Sequence, residues 1–312
     1  MKVLIVGGAG YLGGIMVDLF QKNHDVTIYD NLFYEEKFLK PATFVCGDIR
    51  DTEKLFKEIV KNDVTIFLSA IVGDNACSAI PQVAKEVNLI AIKDIYKKLK
   101  GIKRHIIFPS SCSVYGAQSD ILTEESKMQP LSLYAETKVH AEPYIEELGG
   151  CIFRLGTIYG LGDNYSRIRL DLVANVMTKN ACKYGKINVN GGSQWRPIIS
   201  AVDVATYFLH AAEKRVTGTY ILSSENVQIN SLASRIQSLI PCKIDHTDIS
   251  DKDARNYRVD NSKAINKFNL PIINSLEFEV LRMKKIFEEQ RIKNTESERY
   301  NNGNFIKKHK IL

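Results

Sequence analysis

The sequence has few of the marks of an exported, membrane-bound or metal-stapled protein. Its six cysteines (46, 77, 112, 151, 182 and 242) are scattered, with no CxxC and no Cys–His pair at ligand spacing. Neither a structural zinc nor a disulfide framework is expected, and a reducing compartment fits. No apolar stretch approaches the roughly 18 residues of a membrane span. Glycines at 7, 8 and 10 break the N-terminal apolar run too early for a signal peptide, so a cytoplasmic protein without a membrane partner is expected. No basic run with interleaved aromatics occurs in the body of the chain. Much of the net charge of +6 comes from the end, where Lys307, Lys308 and Lys310 lie close together. A polyanionic small substrate explains that balance more simply than nucleic acid. There is no internal repeat and no low-complexity tract. With 312 residues, 45% of them hydrophobic and 25% charged, the chain can build one large α/β unit or two lobes around a sizeable core.

What is present begins at once. Residues 1–13 read MKVLIVGGAGYLG: a short apolar strand over residues 2–6, glycines at 7, 8, 10 and 13, and an apolar helical stretch from Tyr11 to Phe20. A strand, a tight turn and a helix start suit a dinucleotide pyrophosphate. Gly7 allows the turn, Gly10 lets backbone approach phosphate, Gly13 lets helix and strand pack closely, and the free N–H groups around Tyr11 and Leu12 face the anion. A second strand over residues 25–29 leads into Asp30 and Asn31, and Asp30 lies 20 residues beyond Gly10, where a carboxylate can accept from the adenosine ribose hydroxyls. No Arg or Lys follows Asp30 before Lys37, so a 2′-phosphate has no partner and NAD is expected rather than NADP.

The pattern over residues 1–155 alternates strands (42–46, 64–70, 104–109, 150–155) with helices (one capped by Asp51 or Thr52, then 82–100, and 132–148, bent late by Pro143). The expected fold class is α/β, a doubly wound parallel (Rossmann) sheet with a smaller C-terminal lobe. Residues 1–164, with 193–223 returning to them, are assigned to the dinucleotide lobe, and 165–192 with 224–290 to a substrate lobe. Gly162, Asp163, Asn164 and Ser166 suggest a mobile loop over 161–169. Residues 291–312 read as a polar basic tail, disordered or docked on a partner.

Ligands of such sheets bind at the carboxyl ends of strands. Ser111 stands there, and Tyr134 and Lys138, four apart, share one helix face. An ammonium beside a phenol favours the phenolate, so Tyr134 can take a proton from a substrate hydroxyl while Ser111 holds the oxygen and Lys138 reaches the nicotinamide ribose. A second Tyr-x-x-x-Lys, Tyr96 and Lys100, precedes the serine strand on a helix that reads as surface packing.

Together these segments resemble the extended short-chain dehydrogenase/reductase family, and within it the nucleotide-sugar epimerases and dehydratases. The matching pieces are GGAGYLG at 7–13, Asp30, Gly47-Asp48-Ile49, Val87-Asn88, SSCSVYG at 110–116, YAETK at 134–138, FRLGTIYG at 153–160, WRPIISAVDVA at 195–205 and DARNYRVD at 253–260. The resemblance implies that Tyr134, Lys138 and Ser111 are catalytic, that Asp48 and Ile49 contact adenine, and that Ser69, Ala70 and Ile71 line the cofactor with Ser110 and Ile158, supported by Asn88. It implies that Arg196 and Arg255, with Ser111 and Ser113, hold the nucleotide-diphosphate sugar; a planar guanidinium suits such a phosphate. A homodimer through the helices near 82–100 and 132–148 is implied as well.

The departures narrow the reaction. Cys112 and Ser113 stand where the 4,6-dehydratases carry Asp and Glu, so water loss is disfavoured and Cys112 reads as a buried structural thiol. What remains is oxidation of a sugar hydroxyl, most simply at C4, with the ketone released (a dehydrogenase) or reduced back on the other face (an epimerase). RIRLDLV at 167–173 ahead of the Trp-Arg-Pro segment is similar to bacterial GDP-sugar enzymes, including capsule-heptose C4 dehydrogenases. The alternative of another class is an NAD-sensing regulator without chemistry, which has no need of Ser111, Tyr134 and Lys138 together.

Overall fold

Val3, Leu4, Ile5 and Val6 leave the first strand no polar face, and the chain buries it at the middle of a sheet. The structure is a computed structural model, and it describes residues 1–35, 37–163, 167–247 and 255–309. The first half runs β1 (Lys2–Val6), α1 (Tyr11–Phe20), β2 (Asp25–Asp30), β3 (Thr43–Cys46), α2 (Thr52–Ile59), β4 (Val64–Phe67), α3 (Asp74–Ala79), α4 (Pro81–Lys85), a π-helical turn (Glu86–Ile90), α5 (Ala91–Leu99), β5 (His105–Ser111), β6 (Ala117–Leu122), α6 (Leu133–Glu147) and β7 (Cys151–Leu155). The second runs β8 (Thr157–Tyr159), α7 (Val173–Tyr184), β9 (Lys186–Asn190), β10 (Trp195–Ser200), α8 (Ala201–Lys214), β11 (Gly218–Leu222), β12 (Glu225–Gln228), α9 (Ile229–Leu239), β13 (Lys243–Thr247), β14 (Asn256–Val259), α10 (Ser262–Phe268), α11 (Leu276–Glu288) and α12 (Asn302–His309).

Seven strands form a parallel sheet in the order β11-β7-β5-β4-β1-β2-β3, so the winding reverses between β1 and β4. The expected doubly wound sheet is therefore present. Apolar residues of α1 and α8 (Met16, Phe20, Val204, Phe208) cover one face, and those of α2, α5 and α6 (Leu55, Ile95, Ile145) cover the other. β10 lies parallel to β8 and antiparallel to β12, which ties residues 195–200 back to the sheet region. A third cluster, built on α7, α9 and α11, makes the core of the second lobe (Met177, Leu232, Val280). Among the described residues, no helix is long and apolar enough to cross a membrane.

The structure departs from the pattern in several places. β4 stops at Phe67 because the N–H groups of Leu68 and Ser69 both turn onto Val6 O, at 2.7 and 2.8 Å, which ends the ladder. The helix expected over 82–100 is divided: α4 and α5 meet at the π-helical turn, where Ala91 N donates to Glu86 O. Helix α6 runs through Pro143 as far as Glu147. The segment read as a tail contains α12, folded onto the chain's own α3 with Ile306 and Asn302 buried. Asn164 and Ser166 of the expected mobile loop, Asp253 and Ala254 of the late motif, and Lys310 lie outside the described residues.

Candidate active site

A cavity of about 1160 Å³ opens over the carboxyl ends of β1, β4 and β5 and extends into the second lobe. Gly7, Gly10, Tyr11, Leu12 and Gly13 form its floor. Gly7 has φ +86°, and a side chain there would run into Ser69 N. A side chain at Gly13 would strike Gly8 O, so α1 and β1 pack as closely as the sequence suggests. Gly10 is different: a Cβ there would meet only Gly7 O, at 3.5 Å. Among the described residues nothing demands glycine at that position, and no side chain caps α1 or places an acid in its first turn. Open space in front of uncapped N–H groups fits the pyrophosphate of NAD.

Asp30 stands at the tip of β2, its two oxygens accepting from Ala9 N (3.0 Å) and Leu32 N (2.7 Å). Burial raises its pKa, and those backbone donors work against the rise. Asn31 donates to Asp48 at 3.1 Å. Burial disfavours the Asp48 charge, but the Arg50 guanidinium that grips it, at 3.0 and 2.9 Å, holds its carboxyl below the ordinary range. Ile49, Ser69, Ala70 and Ile71 line the same wall. Asn88 stands behind it: its amide clamps the backbone of Ile71, accepting from N at 2.8 Å and donating to O at 2.9 Å.

At the other end of the dinucleotide floor, Ser110, Ser111, Ser113, Tyr134, Lys138 and Ile158 border the cavity. Ser111 Oγ accepts from the N–H (3.1 Å) and the hydroxyl (2.9 Å) of Ser113. Ser110 gives its hydroxyl to Glu142, which is locked in a buried pair with Arg154. Cys112 is fully buried, its thiol bound to Arg154 O at 3.2 Å, and it does not border the cavity; burial pushes its pKa up.

The tyrosine–lysine pair differs from the sequence expectation. Lys138 Nζ donates to Pro109 O at 2.8 Å, sits 4.4 Å from the Phe108 ring centre, and is 5.9 Å from that of Tyr134. Its desolvation brings the ammonium down to about 8. Burial drives the Tyr134 phenol upward instead of down, and the cation working against that rise is Arg169. Helical spacing placed both groups on one face, but a strand carbonyl captures the amine.

On the second lobe, Arg196 and Arg255 both reach the cavity wall. Arg196 donates to the carbonyls of Trp195 (2.8 Å) and Arg255, while Arg255 pairs with Asp74 of α3 at 3.2 Å, bridging the lobes. Sequence reasoning missed a third group, the buried Arg167 and Arg169 with Asp171, although the RIRLDLV segment that carries them was noted. Arg169 grips Asp171 through two bonds of 2.7 and 3.0 Å. Arg167 lies 4.1 Å over the Tyr34 ring, and desolvation with the neighbouring Arg169 charge lowers its pKa to about 10. Among the described residues, no three His, Cys, Asp or Glu side chains group as metal ligands.

The sequence model of the NAD dependent epimerase/dehydratase family matches residues 3–222. A UDP-glucose 4-epimerase of Lactobacillus helveticus is 30% identical over 153 residues, a match spanning 46% of this chain and 45% of that relative's length. Among solved structures, the UDP-glucuronic acid 4-epimerase of Bacillus cereus, in complex with UDP-glucuronic acid and NAD, superposes with a TM-score of 0.81 at 21% identity, covering 93% of this chain and 99% of that one. The UDP-glucose 4-epimerase of Thermotoga maritima, solved with UDP-glucose, has a TM-score of 0.81 at 22% identity, with 93% and 100% covered. Those two likenesses establish a common fold.

Proposed function

The chain belongs to the NAD-dependent epimerase/dehydratase family, and from that premise we propose that it oxidises the C4 hydroxyl of a nucleotide-diphosphate sugar to a 4-keto sugar. The observation that carries this reading is that Ser111, Tyr134 and Lys138 border one cavity with the uncapped start of α1 on one side and Arg196 and Arg255 on the other. NAD, when bound, supplies an oxidised nicotinamide that accepts hydride from the sugar carbon and whose positive charge favours a phenolate nearby. Tyr134 Oη takes the hydroxyl proton, and Ser111 Oγ holds the same oxygen in place. Lys138, which borders the same cavity, is the group that reaches the nicotinamide ribose. Arg196 and Arg255 hold the diphosphate.

The likeness of residues 167–173 and the Trp-Arg-Pro segment to GDP-sugar enzymes supports a GDP-linked sugar, GDP-heptose among them, destined for a surface or capsule polysaccharide. A cytoplasmic homodimer pairing through the helices near 82–100 and 132–148 belongs to the same reading, and a monomer by light scattering at micromolar concentration would remove that part. The 4-epimerase names of the similar proteins favour one second reading, in which the ketone is reduced back on its opposite face within the site.

Incubation with UDP-, GDP-, CDP- and dTDP-sugars tests the proposal. NADH with a 4-keto sugar identifies a dehydrogenase, and an inverted sugar without NADH an epimerase. Bound NAD with every sugar unchanged would leave only a regulator. Tyr134→Phe is expected to keep NAD binding and lose about 10³-fold in turnover; near-normal turnover removes Tyr134 from the chemistry.

A further inference from the structure

We propose that the C-terminal segment and Arg167 form a clamp that closes the dinucleotide site from outside and holds NAD as a resident group; this rests on the NAD-dependent reading above. The segment leaves the second lobe at Lys179, which pairs with Glu296 at 3.0 Å. It then crosses the 167–171 loop, where Tyr300 O accepts from Leu170 N and Arg299 O from Arg167, both at 2.8 Å. It ends on the dinucleotide lobe, with α12 against α3 and Phe305 against the rings of Phe33 and Tyr34. Asn302 is the buckle. Its side chain donates to Val72 O at 2.9 Å and accepts from Arg167 at 2.5 Å, while its backbone N–H reaches Asp171 at 3.1 Å. Asn302 and Gly303 themselves border the cavity.

Two buried donors lie within the clamp. The Arg167 side chain is only 4% exposed, yet its Nε has no hydrogen-bond partner among the described residues; the nearest carboxylate, Glu35, is 3.8 Å away. The buried Tyr34 hydroxyl, on the ring beneath that guanidinium, likewise has no partner among the described residues. Both residues border the cavity, Tyr34 four positions beyond Asp30 and Arg167 on the loop whose Arg169 charge reaches the Tyr11 phenol of α1. Buried donors left unmade are costly. Sealed as these two atoms are from the cavity, that cost is held in place by the closed segment, and what the segment itself presents to the cavity includes Asn302 and Gly303. The place of the two donors is fixed by a segment that must lift away before NAD can leave.

Retention and exchange of NAD by the full chain test this. Dinucleotide released on denaturation is quantified after gel filtration, and exchange of bound for labelled NAD is followed in time. Wild-type protein is expected to keep NAD through the column. Arg167→Ala, Asn302→Ala and a chain ending at Ser297 are expected to exchange it ten- to a hundredfold faster, with circular dichroism confirming that each is folded. Arg167→Lys keeps the charge without the Nε donor and is expected to fall between; should the shortened chain or an alanine variant fail to fold, this variant decides. Folded variants exchanging NAD at the wild-type rate overturn the clamp and leave the proposed reaction standing. Wild-type protein that binds no NAD at all overturns the proposed reaction, and the clamp with it.

Discussion

The two walls of the cavity are built from different materials. The floor of β1, α1 and the strand tips is largely backbone: glycines that permit close approach, uncapped N–H groups, and an amide, Asn88, that fixes a peptide from behind. The wall around residues 167–171 is side chain on side chain, with Glu35 paired to both Arg167 and Arg299 and with Arg169 gripping Asp171. A backbone wall fails by steric intrusion and ignores salt. An ionic wall fails when one partner is removed and its neighbour stays buried without a counter-charge.

Three substitutions can break or sharpen that contrast. The largest effect is expected at Gly13→Ala, which drives a methyl group into Gly8 O; thermal unfolding should show a loss of about 3 kcal/mol or more and no retained cofactor. Arg169→Leu leaves Asp171 unpaired against the cavity, and denaturant unfolding should show about 2–3 kcal/mol lost. That loss should be accompanied by a Tyr134-dependent pH profile displaced upward, because the cation opposing the phenol's rise is gone. Gly10→Ala is the converse of Gly13→Ala: the methyl group meets no protein atom closely, so the melting temperature should hold while NAD affinity, read by fluorescence titration, falls about tenfold or more. An unchanged affinity would take the phosphates away from this turn.

The smallest effect lies outside both walls. His105 is buried on β5 near Arg215, and desolvation followed by that charge holds it down at about 4. Between about 6.5, where a free imidazole takes its proton, and 4, the unfolded chain binds the extra proton. Stability should therefore fall as pH falls across that window, by on the order of 1–2 kcal/mol. His105→Gln should flatten that part of the melting-temperature curve.

The same contrast separates what could be read in the sequence from what could not. Gly7, Gly10 and Gly13, Asp30, and the serine and tyrosine motifs act within a few residues of themselves, so their spacing carries the message. The ionic wall joins Arg167 to residues 132 and 135 positions later, and no periodicity reports a contact of that range. A basic, polar C-terminal stretch reads as solvated because its few apolar residues, Phe305 and Ile306, look too sparse for a core; one turn of α3 and two aromatic rings suffice for them. Lys138 shows a subtler limit. Position on a helix face is legible, but which of two acceptors a flexible amine chooses depends on a strand met only in three dimensions.

The wide turn at Glu86–Ile90 has a consequence for the whole dinucleotide wall. One surplus residue rotates everything after it by roughly 100° relative to a regular helix. Asn88, Ile92, Ile95 and Leu99, at steps of four, three and four, lie along one side of this element, so the amide that clamps Ile71 is in line with the apolar residues seated on the sheet. An insertion or deletion of one residue beyond the turn would swing that stripe off the sheet and take the amide's alignment with it. One element thus serves both packing and ligand, and its register rather than its composition is what heredity has to preserve there.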